Sequence, residues 1–271
     1  MTFLENSFYY ISYLDIKLPC DDLILPPLDS PLSRPLDCIK LNNKTAGNRI
    51  AIHPMEGWDG TTKGGITEEM KRRWHRFGTS GAKLILGGEA MAVRRDGRAN
   101  PNQLIISDEN KSSIAELIEI LSQAHTERYV TTEDLVIGLQ LTHSGRFCRP
   151  NEKSRFEPRV AYRHPILDAK FEITSDNQVW ADNEIDELIL SYIRAARIAN
   201  DIGADFVDIK HCHGYLLHEF LGAHTRSGCY GGSFENRTRI LREIINGIRA
   251  DDNNIDIIVR LSAFDSVPFR P

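Results

Sequence analysis

The chain has 271 residues, of which 41% are hydrophobic and 26% are charged. These shares are typical of globular proteins, so the composition argues against a disordered, collagen-like or coiled-coil chain. The 33 basic and 38 acidic residues give a formal net charge of −5, which offers no basic field for nucleic acid or for an anionic lipid surface. We therefore expect neither nucleic acid nor a membrane as a partner.

The first residues and the cysteines favour a cytoplasmic protein. The first 16 residues contain no Lys or Arg, unlike a secretory signal peptide, and no run reaches the roughly 18 apolar residues that a spanning helix needs. The five cysteines are widely spaced and form no Cys-x-x-Cys pair, so neither a disulfide framework nor a four-thiolate metal site is indicated. The sequence leaves open whether copies of the chain associate into a homo-oligomer.

Residues 1–48 differ in composition from the rest of the chain. They hold five of the 12 prolines, namely Pro19, Pro26, Pro27, Pro31 and Pro35. Because proline interrupts both helical and ladder hydrogen bonding, we predict a proline-rich extended amino-terminal segment that covers another part of the protein. Residues 49–271 form the second predicted unit.

From residue 49 onward, short apolar runs alternate with longer segments of helical period, which is the pattern of βα units around a parallel sheet. Four amphipathic segments predict helices, because apolar residues recur on one face around Trp74, Leu117, Leu188 and Ile244. The apolar runs predict five strands, at residues 49–53, 83–88, 135–141, 205–210 and 255–261. The sequence thus indicates an α/β fold.

About 40 residues separate the third strand from the next helix, which is too long for a plain connection. We predict an insertion at about residues 142–183, with a small hairpin whose arms are residues 171–173 and 178–180. Asp182 or Asn183 is expected to cap the helix that follows, and Gly203 is expected to end it.

Side chains alternate across a strand, so alternate residues of each predicted strand face the helices and the remaining residues face inward. We call these two sets the helix-facing and the inner parity. The inner parity carries one long polar side chain near the carboxyl end of three strands: Gln140, Lys210 and Arg260. Enzymes with α/β folds build their sites at these strand ends. A conservative interpretation stays open, in which Lys210 pairs with Asp208 or another carboxylate and the other two are satisfied core groups.

The segment Lys210-His-Cys-His-Gly-Tyr215 follows the fourth strand and adds two imidazoles and a phenol to the same rim. It permits a metal-dependent hydrolase that uses His211 and His213, since His-x-His can place two imidazoles on one face. Strand parity argues against this hypothesis, because both imidazoles would face away from Lys210.

Five blocks of the sequence together form a recognisable series. They are Arg49-Ile-Ala-Ile-His-Pro-Met55, Gly81-Ala-Lys-Leu-Ile-Leu-Gly-Gly-Glu-Ala90, Gln140-Leu-Thr-His-Ser-Gly-Arg146, His213-Gly-Tyr-Leu-Leu217, and Arg226 with Tyr230-Gly-Gly-Ser-Phe-Glu-Asn-Arg237. This series resembles the old yellow enzyme family of FMN-dependent oxidoreductases, in register from about residue 36 to residue 262. The resemblance implies a (β/α)8 barrel of the TIM type, of which about the first five strand–helix units are present, with FMN at the carboxyl ends of the strands.

The resemblance also implies a set of cofactor-binding residues at the strand ends: Pro54, Met55, Glu56, Ala90, Gln140 and Arg260. Gln140 would hydrogen-bond the pyrimidine edge of the flavin, and Arg260 would lie near N1 and O2. A guanidinium at that place stabilises the negative charge that reduced flavin carries and so raises its reduction potential.

Three residues are implied as catalytic: Lys210, His213 and Tyr215. NADH or NADPH would reduce FMN, and flavin N5 would pass hydride to an α,β-unsaturated carbonyl, as in an ene-reductase or a dienoyl-CoA reductase-like enzyme. His213 would bind the carbonyl oxygen of this small-molecule substrate, and Tyr215 would protonate the α-carbon. Two alternatives stay open: Tyr215 is a packing ring with its hydroxyl in water, or the whole chain is a non-catalytic remnant that binds no cofactor.

The sequence departs from the family pattern at three points. Lys210 stands where most relatives carry His, and an ammonium would change the pH dependence of the site. Glu56 stands where relatives often place Cys or Thr beside the flavin O4; an ionised carboxylate there would disfavour electron uptake, and one in solvent would have no effect. Phosphate loops in such barrels follow strands seven and eight, beyond the last predicted strand, so we expect a piece of a longer reading frame.

Overall fold

The computed structural model describes residues 29–251 and 254–263. Its strands are β1 (Ala51–Ile52), β2 (Leu84–Ile85), β3 (Ala90–Ala92), β4 (Val136–Thr142), β5 (Phe206–His211) and β6 (Asp256–Leu261). Its α-helices are α1 (Glu68–Thr79), α2 (Lys111–Tyr129), α3 (Leu167–Lys170), α4 (Asp182–Asp201), α5 (Leu216–Leu221), α6 (Phe234–Arg237) and α7 (Arg239–Ala250). Within the described ranges, no helix is both long enough and apolar enough to cross a membrane.

All strand pairs are parallel, and the sheet runs in the order β1-β2-β4-β5-β6. The strand β3 also pairs with β4, but at the carboxyl half, whereas β2 pairs with its amino half. Hence β2 and β3 form one interrupted line beside β4. The interruption lies at Gly87 and Gly88, whose φ values of 137° and 54° suit glycine. The prediction of one strand over 83–88 was therefore partly wrong, since it missed β3.

The helix-facing parity of the strands packs as predicted. Ile137, Leu139 and Leu141 of β4 join a large buried cluster with apolar residues of α1, α2, α4 and α7. The same cluster takes Val207 and Ile209 from β5. These alternate residues point to the helices because successive side chains of a strand face opposite sides of the sheet.

The opposite parity forms a second, smaller cluster at the amino ends of the strands. Val136, Phe206 and Ile258 meet there, and the ring of Phe206 lies across Gly138. A Cβ atom at position 138 would stand only 2.2 Å from that ring, so this strand position requires glycine. The inner face is thus plugged by apolar side chains below the level of the polar strand ends.

The predicted amino-terminal segment is described only from residue 29, and residues 1–28 lie outside the described part. Leu36 and Leu41 of the described portion pack against the second cluster. The Lys44 ammonium lies 2.9 Å from a carboxylate oxygen of Asp205, the residue that precedes β5. Residues 29–48 therefore cover the end of the sheet that is opposite to the polar strand ends.

The predicted hairpin in the insertion is wrong. Residues 171–173 are not a strand, and residues Asp176–Gln178 form a 3-10 turn in which the Ser175 side chain and Gln178 cap each other. Val160 instead makes a single parallel bridge with Val179. The alternation of apolar residues that suggested two arms arises because Phe171 and Ile173 pack into a local cluster under this loop.

The predicted end of α4 is confirmed, whereas its predicted N-cap is wrong. Gly203 follows its last turn with a φ of 85°, as predicted. Its N-cap is Ala181, whose N–H donates to Glu184 at 2.8 Å. Asp182 is not the cap, because its carboxylate accepts hydrogen bonds from Arg226 and from the N–H of Cys229.

The buried carboxylate of Glu89 connects α1 to the loop after β1. Glu89 is 1% exposed, and its Oε1 accepts a hydrogen bond from Arg73 Nη2 at 2.6 Å. Burial raises the pKa of Glu89 to about 7, although Arg73 and the N–H of Gly57 oppose the shift. Because Gly57 directly follows Glu56, this carboxylate helps to fix the loop that carries Glu56.

We expect Phe206→Ala to lower the free energy of unfolding by about 3–5 kcal/mol, since it empties the centre of the inner apolar plug. Urea unfolding followed by circular dichroism measures the loss. Leu190→Ala on α4 is the control, because Leu190 is 46% exposed and its truncation should change stability by about 0.5 kcal/mol or less. A loss for Phe206→Ala as small as that of the control would contradict the packing of this face.

We expect the stability of the protein to carry a pH dependence that Glu89→Gln removes. The folded state holds the Glu89 proton up to about pH 7, whereas the unfolded chain releases it near its ordinary pKa of about 4.3. The Glu89 contribution is therefore complete at low pH and declines as the pH rises through this window. Urea unfolding at several pH values should show the wild type losing more than about 1 kcal/mol relative to Glu89→Gln; a gain with rising pH would contradict the assignment.

Candidate active site

The predicted polar side chains of the inner face lie in two adjacent rows at the carboxyl ends of the strands. Ala90, Gln140 and Asp208 pair across β3, β4 and β5 in one row. Lys210 and Arg260 pair with each other one row higher, between β5 and β6. The strand register thus brings four of the nine predicted site residues to one surface, together with Asp208.

Asp208 joins the amide and the guanidinium. Gln140 Nε2 donates to Asp208 Oδ2 at 2.7 Å, and Arg260 Nε lies 3.6 Å from the same oxygen. Arg260 Nη2 also lies 3.1 Å from Nδ1 of His53, just after β1. Asp208 is 1% exposed; burial raises its pKa, and the Gln140 hydrogen bond and the charge of Arg260 oppose that shift. Gln140 and Arg260 therefore converge on one buried oxygen atom.

Glu56 joins the ammonium and the phenol. Its Oε1 accepts a hydrogen bond from Lys210 Nζ, and its Oε2 accepts one from the Tyr215 hydroxyl at 2.7 Å. The Lys210 ammonium also lies 3.8 Å from the centre of the Tyr215 ring. The alternative in which Glu56 lies in solvent is wrong, because its side chain is 18% exposed and bridges two of the predicted catalytic residues. Its place beside a flavin carbonyl stays a prediction.

The conservative interpretation of the polar strand ends is confirmed for Lys210, with Glu56 as its partner in place of Asp208. Gln140 is likewise satisfied by a carboxylate. For Tyr215, the interpretation as a ring whose hydroxyl lies in water is wrong, because the hydroxyl is bonded to Glu56. Desolvation, followed by the charge of Glu56, raises the pKa of Tyr215 well above its ordinary value.

A tight turn after β5 separates His213 from the strand. The N–H of Tyr215 donates to the carbonyl of Cys212 at 3.2 Å, and His213 and Gly214 have φ values of 61° and 69°. Such values are uncommon for a residue other than glycine, so the turn is held by its surroundings. The His213 side chain is exposed. Partial burial, with Lys210 and Arg260 nearby, lowers its pKa, so the neutral imidazole prevails at pH 7.

His211 does not join His213. It is fully buried on the helix-facing parity, where its ring centre lies 6.4 Å from that of His218. In the part of the chain that the structure describes, no group of three or more His, Cys, Asp or Glu side chains could hold a metal ion. The geometry does not favour the metal-dependent hydrolase.

The loop after β1 brings Pro54 and Met55 alongside β3. The carbonyl of Met55 accepts a hydrogen bond from the N–H of Ala90 at 2.9 Å. The backbone after β1 therefore runs parallel to β3, toward the carboxyl ends of the strands. Pro54 is buried, whereas Met55 is 71% exposed. A large thioether side chain thus stands open beside the row that contains Ala90 and Gln140.

Two residues that organise the site were not among the candidates from the sequence. The sequence indicates Asp208 only as a possible partner of Lys210. Its place on the same inner face as Gln140 and Arg260 is the signal that could have assigned it to the site. Phe147 comes from the turn after β4, and its ring centre lies 5.4 Å from that of Tyr215. No spacing in the sequence signals that contact.

Residues 35–268 match the model of the NADH:flavin oxidoreductase / NADH oxidase family. The NADPH dehydrogenase of Geobacillus sp. (strain WCH70) is 32% identical over 234 residues, which cover 83% of this chain and 62% of that relative. The NADPH dehydrogenase of Bacillus subtilis (strain 168) is 31% identical over 231 residues, which cover 84% of this chain and 63% of the relative. The chain therefore spans less than two thirds of the length of these relatives.

Solved structures give the same fold. The old yellow enzyme from Pichia sp. AKU4542 superposes with a TM-score of 0.71 at 24% identity, covering 89% of this chain and 62% of that one. The old yellow enzyme homologue from Zymomonas mobilis gives 0.67 at 26% identity, covering 86% and 63%. The predicted α/β class, a partial TIM-type barrel, is confirmed. Since the family model matches nearly the whole sequence, the chain belongs to the NADH:flavin oxidoreductase / NADH oxidase family.

Proposed function

We propose that this chain is the FMN-binding part of an oxidoreductase that passes hydride from NADH or NADPH to a small molecule with an activated double bond. The acceptor would be an α,β-unsaturated carbonyl, as in an ene-reductase or a dienoyl-CoA reductase-like enzyme. The observation that carries the proposal is the convergence of Gln140 and Arg260 on one oxygen of Asp208. An amide and a fixed guanidinium thus share one surface at the carboxyl ends of the strands.

The residues of that surface suit a flavin ring. Its pyrimidine edge presents both hydrogen-bond donors and acceptors, and the Gln140 amide offers both. Because Asp208 takes one N–H of Gln140, the second N–H and the amide oxygen would be the groups that bind the ring. Arg260 offers only donors, which suits an edge that becomes electron-rich. Ala90 adds little bulk beside them, and the exposed Met55 adds apolar surface for a flat ring.

FMN, when bound, would accept hydride from the nicotinamide and deliver it to the β-carbon of the acceptor. The side chains of this chain would do the rest. A neutral His213 can donate an N–H to the carbonyl oxygen of the acceptor, on which negative charge develops. Arg260 would hold positive charge at the ring edge, and Asp208 would keep the guanidinium in place.

Tyr215 would supply the proton for the α-carbon. Its raised pKa keeps the hydroxyl protonated throughout the physiological range, so a proton is always available. Giving it up leaves a phenolate, and the Lys210 ammonium, 3.8 Å from the ring centre, would stabilise that charge. For this transfer, the Tyr215 hydroxyl must break its hydrogen bond to Glu56 and turn toward the α-carbon of the substrate.

The proposal also includes a hydride donor and a location. The relatives from Geobacillus and Bacillus subtilis are named NADPH dehydrogenases, which favours NADPH over NADH as the donor. A cytoplasmic location is proposed from the composition and from the unpaired thiols of Cys38, Cys148, Cys212 and Cys229 among the described residues. The alternative of a non-catalytic remnant makes the opposite prediction about the cofactor.

We expect the purified chain to bind FMN and to depend on Arg260 for it. Titration of FMN, read as quenching of flavin fluorescence, should show saturation. Arg260→Met should weaken binding by about tenfold, since a hydrogen bond to a charged donor is lost. Arg155→Met is the matched control, because Arg155 is 54% exposed and pairs with the nearby Glu152 and Glu157. A folded wild type that leaves flavin fluorescence unchanged would favour the remnant.

We expect Tyr215→Phe in the FMN-loaded protein to slow reduction of an enone by about 100-fold, since a positioned proton donor is removed. Reduction of the flavin by NADPH should change little, because that step needs no proton from Tyr215. Stopped-flow absorbance separates the two half-reactions. Equal slowing of both would remove Tyr215 from the role of proton donor.

A further inference from the structure

Opposite charges at the mouth of the site stand in pairs. Arg260 lies beside Asp208, and Lys210 lies beside Glu56. With His213 neutral, the two cations and the two carboxylates cancel among the residues described here. Nothing in this arrangement leaves a free positive charge to attract an anion.

In the second pair, the Lys210 ammonium and the Tyr215 hydroxyl together bind one carboxylate, that of Glu56. Lys210 is only 7% exposed and Glu56 only 18% exposed, so both charges are largely removed from water. One Glu56 oxygen binds the ammonium and the other binds the Tyr215 hydroxyl. A carboxylate that accepts from an ammonium and a phenol at once satisfies both donors. Glu56 itself reaches this position from the loop after β1, four residues beyond the strand.

We propose that Glu56 is a specificity-determining residue: its carboxylate occupies the anion-binding position formed by Lys210 and Tyr215, and so excludes acceptors that carry a negative charge next to the reacting double bond. The selection of acceptors rests on the proposed function. The binding of an anion at Lys210 does not depend on it. An anionic group that approaches Lys210 meets the like charge of Glu56, whose Oε1 is already bound to the ammonium. An uncharged carbonyl meets no such repulsion and can bind at His213.

An aromatic ring packs beside this position: the ring centre of Phe147 lies 5.4 Å from that of Tyr215, at an interplanar angle of 33°. A small aromatic carboxylate and its amide are therefore suitable probes. Benzoate and benzamide share size and shape and differ in charge, so their affinities isolate the electrostatic effect.

We expect Glu56→Gln to raise the affinity for benzoate by at least about tenfold, equivalent to about 1.4 kcal/mol of binding free energy, and to leave that for benzamide nearly unchanged. The glutamine keeps the size of the side chain and an oxygen acceptor for Tyr215 while it removes the charge. Calorimetric titration of the full chain, with and without FMN, measures both affinities. Glu152→Gln is the control, because Glu152 is 59% exposed and lies outside the site.

The double variant Glu56→Gln/Lys210→Met distinguishes this role from a general change in charge. If Lys210 is the group that a bound anion would contact, most of the gain for benzoate disappears in the double variant. A benzoate affinity in folded Glu56→Gln equal to that of the wild type would overturn the proposal, and so would a gain of the same size without Lys210. Because benzoate binding is measured also without FMN, a failure of this inference is distinguishable from a failure to bind the cofactor.

Discussion

The parallel register of β4, β5 and β6 determines which side chains can meet at the site. In that register Gln140 lies beside Asp208, and Lys210 lies beside Arg260. A slip of one residue in β5 would turn Asp208 and Lys210 toward the helices and bring apolar side chains to the mouth. The apolar inner cluster supports this register, because Gly138 pairs with Phe206 and the Phe206 ring fills the space over the glycine. The apolar plug and the polar rows are thus two consequences of one pairing.

Buried carboxylates give the site its rigidity and limit its charge. Asp208 is almost fully buried, and it is stabilised by the two groups that would face a flavin. An arginine held in this way is positioned before any ligand arrives, which reduces the ordering cost of binding. The same carboxylate partly cancels the positive charge of Arg260 at the mouth. The guanidinium should therefore act more through its directed N–H groups than through a strong general field.

Much of this arrangement could be predicted from period-two alternation, and the remainder could not, for physical reasons. Gln140 and Arg260 were assigned to the inner face because long strands fix the side of every residue. The strand β3 was missed because Gly87 and Gly88 break the apolar run, and short apolar runs beside glycine do not identify a strand. The position of Glu56 could not be predicted, since it depends on a loop and on contacts across 154 and 159 residues of sequence.

The contact between Glu56 and Lys210 changes the meaning of two departures from the family pattern. In the sequence they stand as separate substitutions, one that adds a cation and one that adds an anion near the same ring. In the structure they neutralise each other. A lysine that is 7% exposed would be costly without a partner, and a lone carboxylate in the same pocket would be costly for the same reason. Either substitution alone would leave a buried charge unpaired, whereas both together leave the net charge of the pocket unchanged. The two positions therefore have to be considered as one unit, and the chemistry of the site follows from the pair.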